Sequence, residues 1–171
     1  METFTVLLDT SDYSGPAWLH TMLGDCYLAV GRFFEARDSY YKASQLTPSD
    51  GGVWANLAKA ALALGDNHRA ILSARQSLQL TPNSLDATLV LGYAMLRTGQ
   101  VTRVVSLLTQ AKAAHPENAS LQCLLGRAHA AAGNEAEAMR CYGAAIKFDP
   151  SNRLARELLA GAGQKKLSKA G

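Results

Sequence analysis

Four of the five prolines stand 34 residues apart, at Pro48, Pro82, Pro116 and Pro150. Four glycines keep the same interval, at Gly31, Gly65, Gly99 and Gly133, each 17 residues ahead of one of those prolines. No single helix or strand imposes a period this long. It marks stacked supersecondary units, each of which buries its apolar face against the next.

Within one period the residues read as two helices and two breaks. Leu19, Leu23, Tyr27 and Leu28 form an apolar stripe at helical spacing, and Gly31 ends it. Phe33 to Ala36 opens a second helix, which runs through Tyr40 and Ala43 to Leu46. Thr47-Pro48-Ser49-Asp50 then breaks the chain. Asp50, Ser84, Asn118 and Asn152 hold one phase of the period, and all are good N-capping side chains. A cap kept at one phase supports helix–turn–helix units over a strand-based repeat.

The units are therefore 17–50, 51–84, 85–118 and 119–152. Residues 1–16 form an N-terminal arm outside the repeats. Within it Thr3 to Leu8 is β-prone and half apolar, flanked by Glu2, Asp9 and Asp12. Residues 153–163 read as a terminal capping helix, with Leu154, Leu158 and Leu159 available to cover the open end. Beyond Gly161 and Gly163, residues 164–171 are expected to be a basic, disordered tail.

An apolar fraction of 48% with only 7% aromatics suits a core of small residues between helices. The net charge of +3 belongs to the C-terminus: residues 153–171 hold five basic side chains against Glu157, or +4. The first 152 residues carry 12 basic and 13 acidic side chains, or −1. No run approaches the roughly 20 apolar residues of a membrane span, so membrane insertion is not expected. Without a basic, apolar leader the expected location is cytoplasmic. Cys26, Cys123 and Cys141 are odd in number and widely spaced, which fits free thiols better than a disulfide framework.

These features resemble the tetratricopeptide repeat family, whose unit is a 34-residue helix–turn–helix. The resemblance covers residues 17–152. Its Leu-Gly or Leu-Ala pair in the first helix appears as Leu23-Gly24, Leu57-Ala58, Leu91-Gly92 and Leu125-Gly126. Its small residue at the helix crossing appears as Ala36, Ala70 and Ala138, and its later small residue as Ala43, Ser77, Ala111 and Ala145. Val104 departs from the crossing pattern, so the second helix of the third repeat should pack less tightly. Met95 and His129 stand where the family has an aromatic, and Ala74 and Leu108 where it has the ring seen as Tyr40 and Tyr142. The implied fold is all-α: a right-handed α-α superhelix of four repeats with a C-terminal cap.

The resemblance also implies a concave peptide groove lined by the first helix of each repeat. Carried over by phase, its residues are Met22, Asp25, Asn56, Lys59, Leu89, Tyr93, Arg97 and Arg127, with Ala55, Val90, Cys123 and Leu124 among the floor. Three cations against one acid favour an acidic, amphipathic protein or peptide partner. The chaperone-binding members hold a carboxylate with lysine, asparagine and arginine positions. Only Asn56 matches them, and Asp25 would repel the ligand.

Catalysis is not expected. His20, His68, His115 and His129 have no nucleophile or carboxylate at useful spacing, and no phosphate loop, metal-ligand pair or nucleophile elbow is present. No cofactor, metal or small-molecule substrate is implied. The near-neutral repeat body argues against nucleic acid, which a basic groove would attract. Self-association through the open repeat ends, as a structural subunit of a larger assembly, is the alternative to a partner peptide.

Overall fold

The computed structural model describes residues 15–168, with side chains described as far as Ala162. Most of the expected arm, residues 1–14, lies outside the described residues, as do residues 169–171. The described chain is a series of α-helices: α1 Ala17–Ala29, α2 Phe33–Leu46, α3 Gly51–Ala63, α4 Asn67–Leu80, α5 Leu85–Arg97, α6 Val101–Ala114, α7 Ala119–Ala131, α8 Glu135–Phe148 and α9 Arg153–Ser168. Odd- and even-numbered helices alternate as the A and B helices of four hairpins, and α9 follows as a lone A helix. The architecture is the expected tetratricopeptide α-solenoid.

The two ladders in the sequence are its two kinds of joint. Each A helix ends on a glycine in the left-handed region, with φ of 77° at Gly31, 78° at Gly65, 75° at Gly99 and 81° at Gly133. A left-handed residue with a Cβ is strained there, so glycine is the natural choice. At the first joint the Gly31 amide donates to Leu28 O at 3.1 Å and the Arg32 amide to Tyr27 O at 2.8 Å. These two bonds are a Schellman motif, and all four hairpins repeat them.

Each B helix instead ends in a short turn. Asp50, Ser84, Asn118 and Asn152 donate their amides back to the carbonyls of Thr47, Thr81, His115 and Asp149. The ladder prolines occupy the second place of these turns, where a fixed φ helps and no amide is needed. The same four residues then cap the next helix: Asp50 accepts from Gly52 and Val53, Ser84 from Ala87, Asn118 from Leu121 and Asn152 from Ala155. Asp66 caps α4 through the Arg69 amide at 3.0 Å, which the phase argument does not anticipate.

Packing within the hairpins follows a size rule. Gly24 in α1 faces the ring of Tyr40 in α2, so closely that an added Cβ would lie 2.5 Å from Tyr40 Cε1. Gly126 meets Tyr142 at the same 2.5 Å. In the third repeat Gly92 faces the smaller Leu108 and Leu124. In the second, Ala58 and Ala74 occupy the two phases together, both fully buried in one cluster. A ring is matched by glycine and an alanine by alanine, which keeps each interface filled without overlap.

The α5–α6 hairpin is the loosest of the four, as the bulkier Val104 at its crossing leads one to expect. Val104 itself is fully buried. Across repeats, α3 packs on α5 and α5 on α7, so the A helices form one continuous inner layer. The last helix packs on α8 through the buried Ala155 and the half-buried Leu158. It continues to Ser168, past residue 163 where the capping helix was expected to stop. Gly161 and Gly163 cost about 1 kcal/mol each in a helix. Gln164, Lys165, Lys166 and Leu167 are good helix formers, and no proline interrupts them.

Candidate functional site

The inner layer carries one ladder of side chains spaced by the repeat: Asp25, Lys59, Tyr93 and Arg127. One stands at the same phase on each of α1, α3, α5 and α7, and together they make polar contacts that tie helix to helix. Asp25 is exposed and accepts a hydrogen bond from the Tyr40 hydroxyl at 2.7 Å. Burial and the Asp25 carboxylate together push that phenol far above its usual range. Lys59 Nζ meets Asp86 Oδ2 at 2.5 Å. Arg127 stacks over the Tyr93 ring, 5.3 Å from its centroid. Burial raises the Tyr93 hydroxyl, and the Arg127 charge opposes that shift.

Arg97 reaches back one repeat and donates to the Leu62 carbonyl at 3.0 Å. Among the described residues neither Arg97 nor Arg127 forms an ion pair with a carboxylate. Asp86, absent from the sequence-based set, takes up the charge of Lys59. The counter-ion lies 27 residues away, so only the packing of α3 on α5 reveals it.

The remaining residues of the expected groove separate by depth. Met22 is 53% exposed, Asn56 is half-buried, and the next two residues of that phase, Val90 and Leu124, are 6% and 0% exposed. Ala55 and Cys123 are also buried, while Leu89 is half-buried. Ala55, Val90, Cys123 and Leu124 thus belong to the packed layer between A helices and present little surface to a ligand. Burial raises the Cys123 thiol, with Arg127 opposing, so the buried sulfur stays protonated and unreactive. The surface that remains is the ladder and Arg97, with the exposed Met22 and the partly exposed Asn56, Leu89, Leu28, Leu62 and Leu96 beside them.

Among the described residues no group of three or more His, Cys, Asp or Glu could hold a metal ion. No helix there is long and apolar enough to cross a membrane.

A family model described as the bacterial transcriptional activator domain matches residues 63–158, more than half of the chain. The chain belongs to that family. The match takes in α4 to α8, the end of α3 and the start of α9, so Tyr93, Arg97 and Arg127 lie within it. No curated protein matches the sequence.

Solved structures give the fold of this family member independently. MamA of Desulfovibrio magneticus RS-1 superposes with a TM-score of 0.76 at 23% identity, over 88% of this chain and 85% of that one. A thermophilic TPR protein of Thermus thermophilus gives 0.78 at 22% identity, over 88% and 82%. YrrB, described as a TPR protein with an unusual peptide-binding site, gives 0.73 at 21% identity, over 85% and 75%. The repeats are tetratricopeptide repeats in fold.

Proposed function

We propose that this chain is a non-catalytic protein-interaction module, an adaptor or scaffold component, that holds an acidic, amphipathic segment of a partner along the layer of A helices. One observation carries the reading: Arg97 and Arg127, on successive A helices, have no carboxylate partner among the described residues. A guanidinium held against an aromatic ring keeps its edge free for a carboxylate, and Arg offers paired donors there. The half-buried leucines nearby supply apolar contact, while charge steers the encounter. The peptide-binding description of YrrB supports the reading at the level of fold. The family description supports a setting in transcriptional control. In that setting residues 17–152, with 12 basic side chains against 10 acidic, or +2, are near enough to neutral to suit contact with protein better than contact with DNA.

The test begins by capturing and identifying a partner from the native source, then measures its purified binding by calorimetry. Arg97→Ala with Arg127→Ala should weaken binding about tenfold or more while the far-UV circular dichroism spectrum stays that of the folded wild type. Asp86→Ala, which frees Lys59, should strengthen it. Affinity that is indifferent to both changes would sink the inner-layer assignment.

A further inference from the structure

The fourth repeat lacks two side chains that the first repeat supplies to its own core. In the first, Leu28 packs with Ala36, Tyr40 and Ala60, and the Tyr40 hydroxyl donates to Asp25 at 2.7 Å. The same phases of the fourth repeat, and of the helix that follows it, hold Ala130, Ala138, Tyr142 and Ala162. Those four residues line a cavity of about 240 Å³ between the α7–α8 hairpin and α9.

The register accounts for the space. The phase of Ala130 is leucine in every other repeat, at Leu28, Leu62 and Leu96. Those leucines are half-buried, whereas Ala130 is exposed. At the earlier boundaries the next A helix brings Lys59, Tyr93 or Arg127 to the ladder phase. Helix α9 brings Gly161, with open space around it. A leucine-sized volume is therefore unfilled here and open to the outside.

The other missing group is a carboxylate. Tyr142 lies on its A helix as Tyr40 does. A Cβ at Gly126 would stand 2.5 and 2.6 Å from Cε1 and Cδ1 of Tyr142, the same distances as from Gly24 to Tyr40. The Tyr142 hydroxyl is thereby carried toward the ladder phase of α7, where Arg127 replaces the aspartate. Tyr142 is 2% exposed, and its hydroxyl has no hydrogen-bond partner among the described residues. A buried phenol normally finds one. Burial raises this phenol, with Cys123 adding to the rise and the Arg127 charge opposing it, so the three groups lie close together.

We infer that this cavity is the anchor subsite of the bound segment, where one acidic residue lies between the Tyr142 hydroxyl and Arg127 and a neighbouring leucine-sized side chain fills the space beside Ala130. The subsite rests on the inner-layer reading given above and adds to it a place and a residue type. The ligand carboxylate takes the role of Asp25 in the first repeat, and the apolar side chain takes the volume of Leu28. Glu135 and Glu157 also line the cavity. Glu157 is bound to Arg153 at 2.7 Å, and Glu135 has a partner as well. They limit the subsite to a single carboxylate, because a run of acids would be repelled by them.

The test is a library of random peptides displayed on phage and panned against the full chain, with Ala130→Leu as counter-selection. That variant restores the residue of the other three repeats, so it fills the cavity. Peptides that prefer the wild type should share one aspartate or glutamate beside a leucine-sized residue. For a synthetic copy, Tyr142→Phe should weaken binding about tenfold. The same variant should leave the urea midpoint of the protein unchanged, because the hydroxyl has no partner to lose in the free chain. Exchanging the peptide's acidic residue for its amide should cost the wild type about tenfold or more and the Tyr142→Phe protein less, a coupling that a merely structural tyrosine would not give. Selected peptides without an acid, equal binding to Ala130→Leu, or a lowered urea midpoint for Tyr142→Phe would each overturn the subsite. Peptides that depend on Arg97 and Arg127 but are indifferent to Ala130→Leu and Tyr142→Phe would overturn it while the inner-layer reading stands. If no peptide binds the wild type, both fall.

Discussion

The pairing of Gly24 with Tyr40 can be tested as a coupled unit. Replacing Gly24 with alanine brings two opposing effects. Alanine inside a helix is favoured over glycine by about 1 kcal/mol. Its Cβ, however, would lie 2.5, 2.6 and 2.7 Å from three atoms of the Tyr40 ring. Carbon atoms prefer about 3.5–4.0 Å, so the ring would have to retreat by roughly 1 Å. Tyr40 is fully buried and its hydroxyl is tied to Asp25, so retreat is resisted at both ends. Overpacking of that kind costs about 1–3 kcal/mol and falls here toward the upper figure. Gly24→Ala should therefore destabilise the chain by about 1–2 kcal/mol, which lowers the melting temperature by about 2–8 °C in a protein of this size. Tyr40→Ala alone should cost about 3–5 kcal/mol through the cavity it leaves. In that background Gly24→Ala becomes favourable, because the pair now copies Ala58 with Ala74. Urea titrations of the four proteins, followed by far-UV circular dichroism, give a double-mutant cycle with an expected coupling of about 2–3 kcal/mol. A Gly24→Ala protein as stable as wild type, or equal effects in both backgrounds, would refute the size rule.

Four further changes have definite signs. Gly143 lies within α8 with open space about its Cα, so Gly143→Ala should raise stability by about 0.5–1 kcal/mol, whereas Gly65→Ala, at φ +78°, should lower it by about 1 kcal/mol in the same denaturation assay. Ser77→Ala removes the buried bond from Ser77 Oγ to Gly51 O, 2.7 Å long, and should cost about 1–3 kcal/mol because the carbonyl loses its donor. Burial, with the Lys42 charge, pulls His20 below 6.5, so as pH falls the unfolded chain takes a proton there before the folded chain does. Its contribution is complete above that pH and is lost below it, and His20→Gln should flatten that part of a stability–pH profile.

The solenoid is legible in the sequence because its joints are chemical. Proline, glycine and the capping residues act within a few residues of themselves, and the sequence displays them at full strength. Asp50, Ser84, Asn118 and Asn152 each make the cap their phase predicts. The inner layer is legible only in part. Phase places Met22, Asn56, Val90 and Leu124 on one line, but whether a residue on that line is covered depends on how closely neighbouring A helices approach. The pairing of Lys59 with Asp86 and the stacking of Arg127 on Tyr93 depend on that approach as well. The length of α9 departs from expectation for a simpler reason: two glycines suggest a stop, and the helix formers after them outweigh it.

The ladder on the A helices changes character along its length. It begins with a carboxylate at Asp25, passes through the neutralised Lys59, and ends with the ring and guanidinium of Tyr93 and Arg127. Such a surface has a polarity, and a segment lying along it would not be read equally well in both directions. Its acidic end would settle over the third and fourth repeats, and any basic end would settle over the first. Reversing the order of charges in a bound peptide, with composition unchanged, would then weaken binding as surely as removing them.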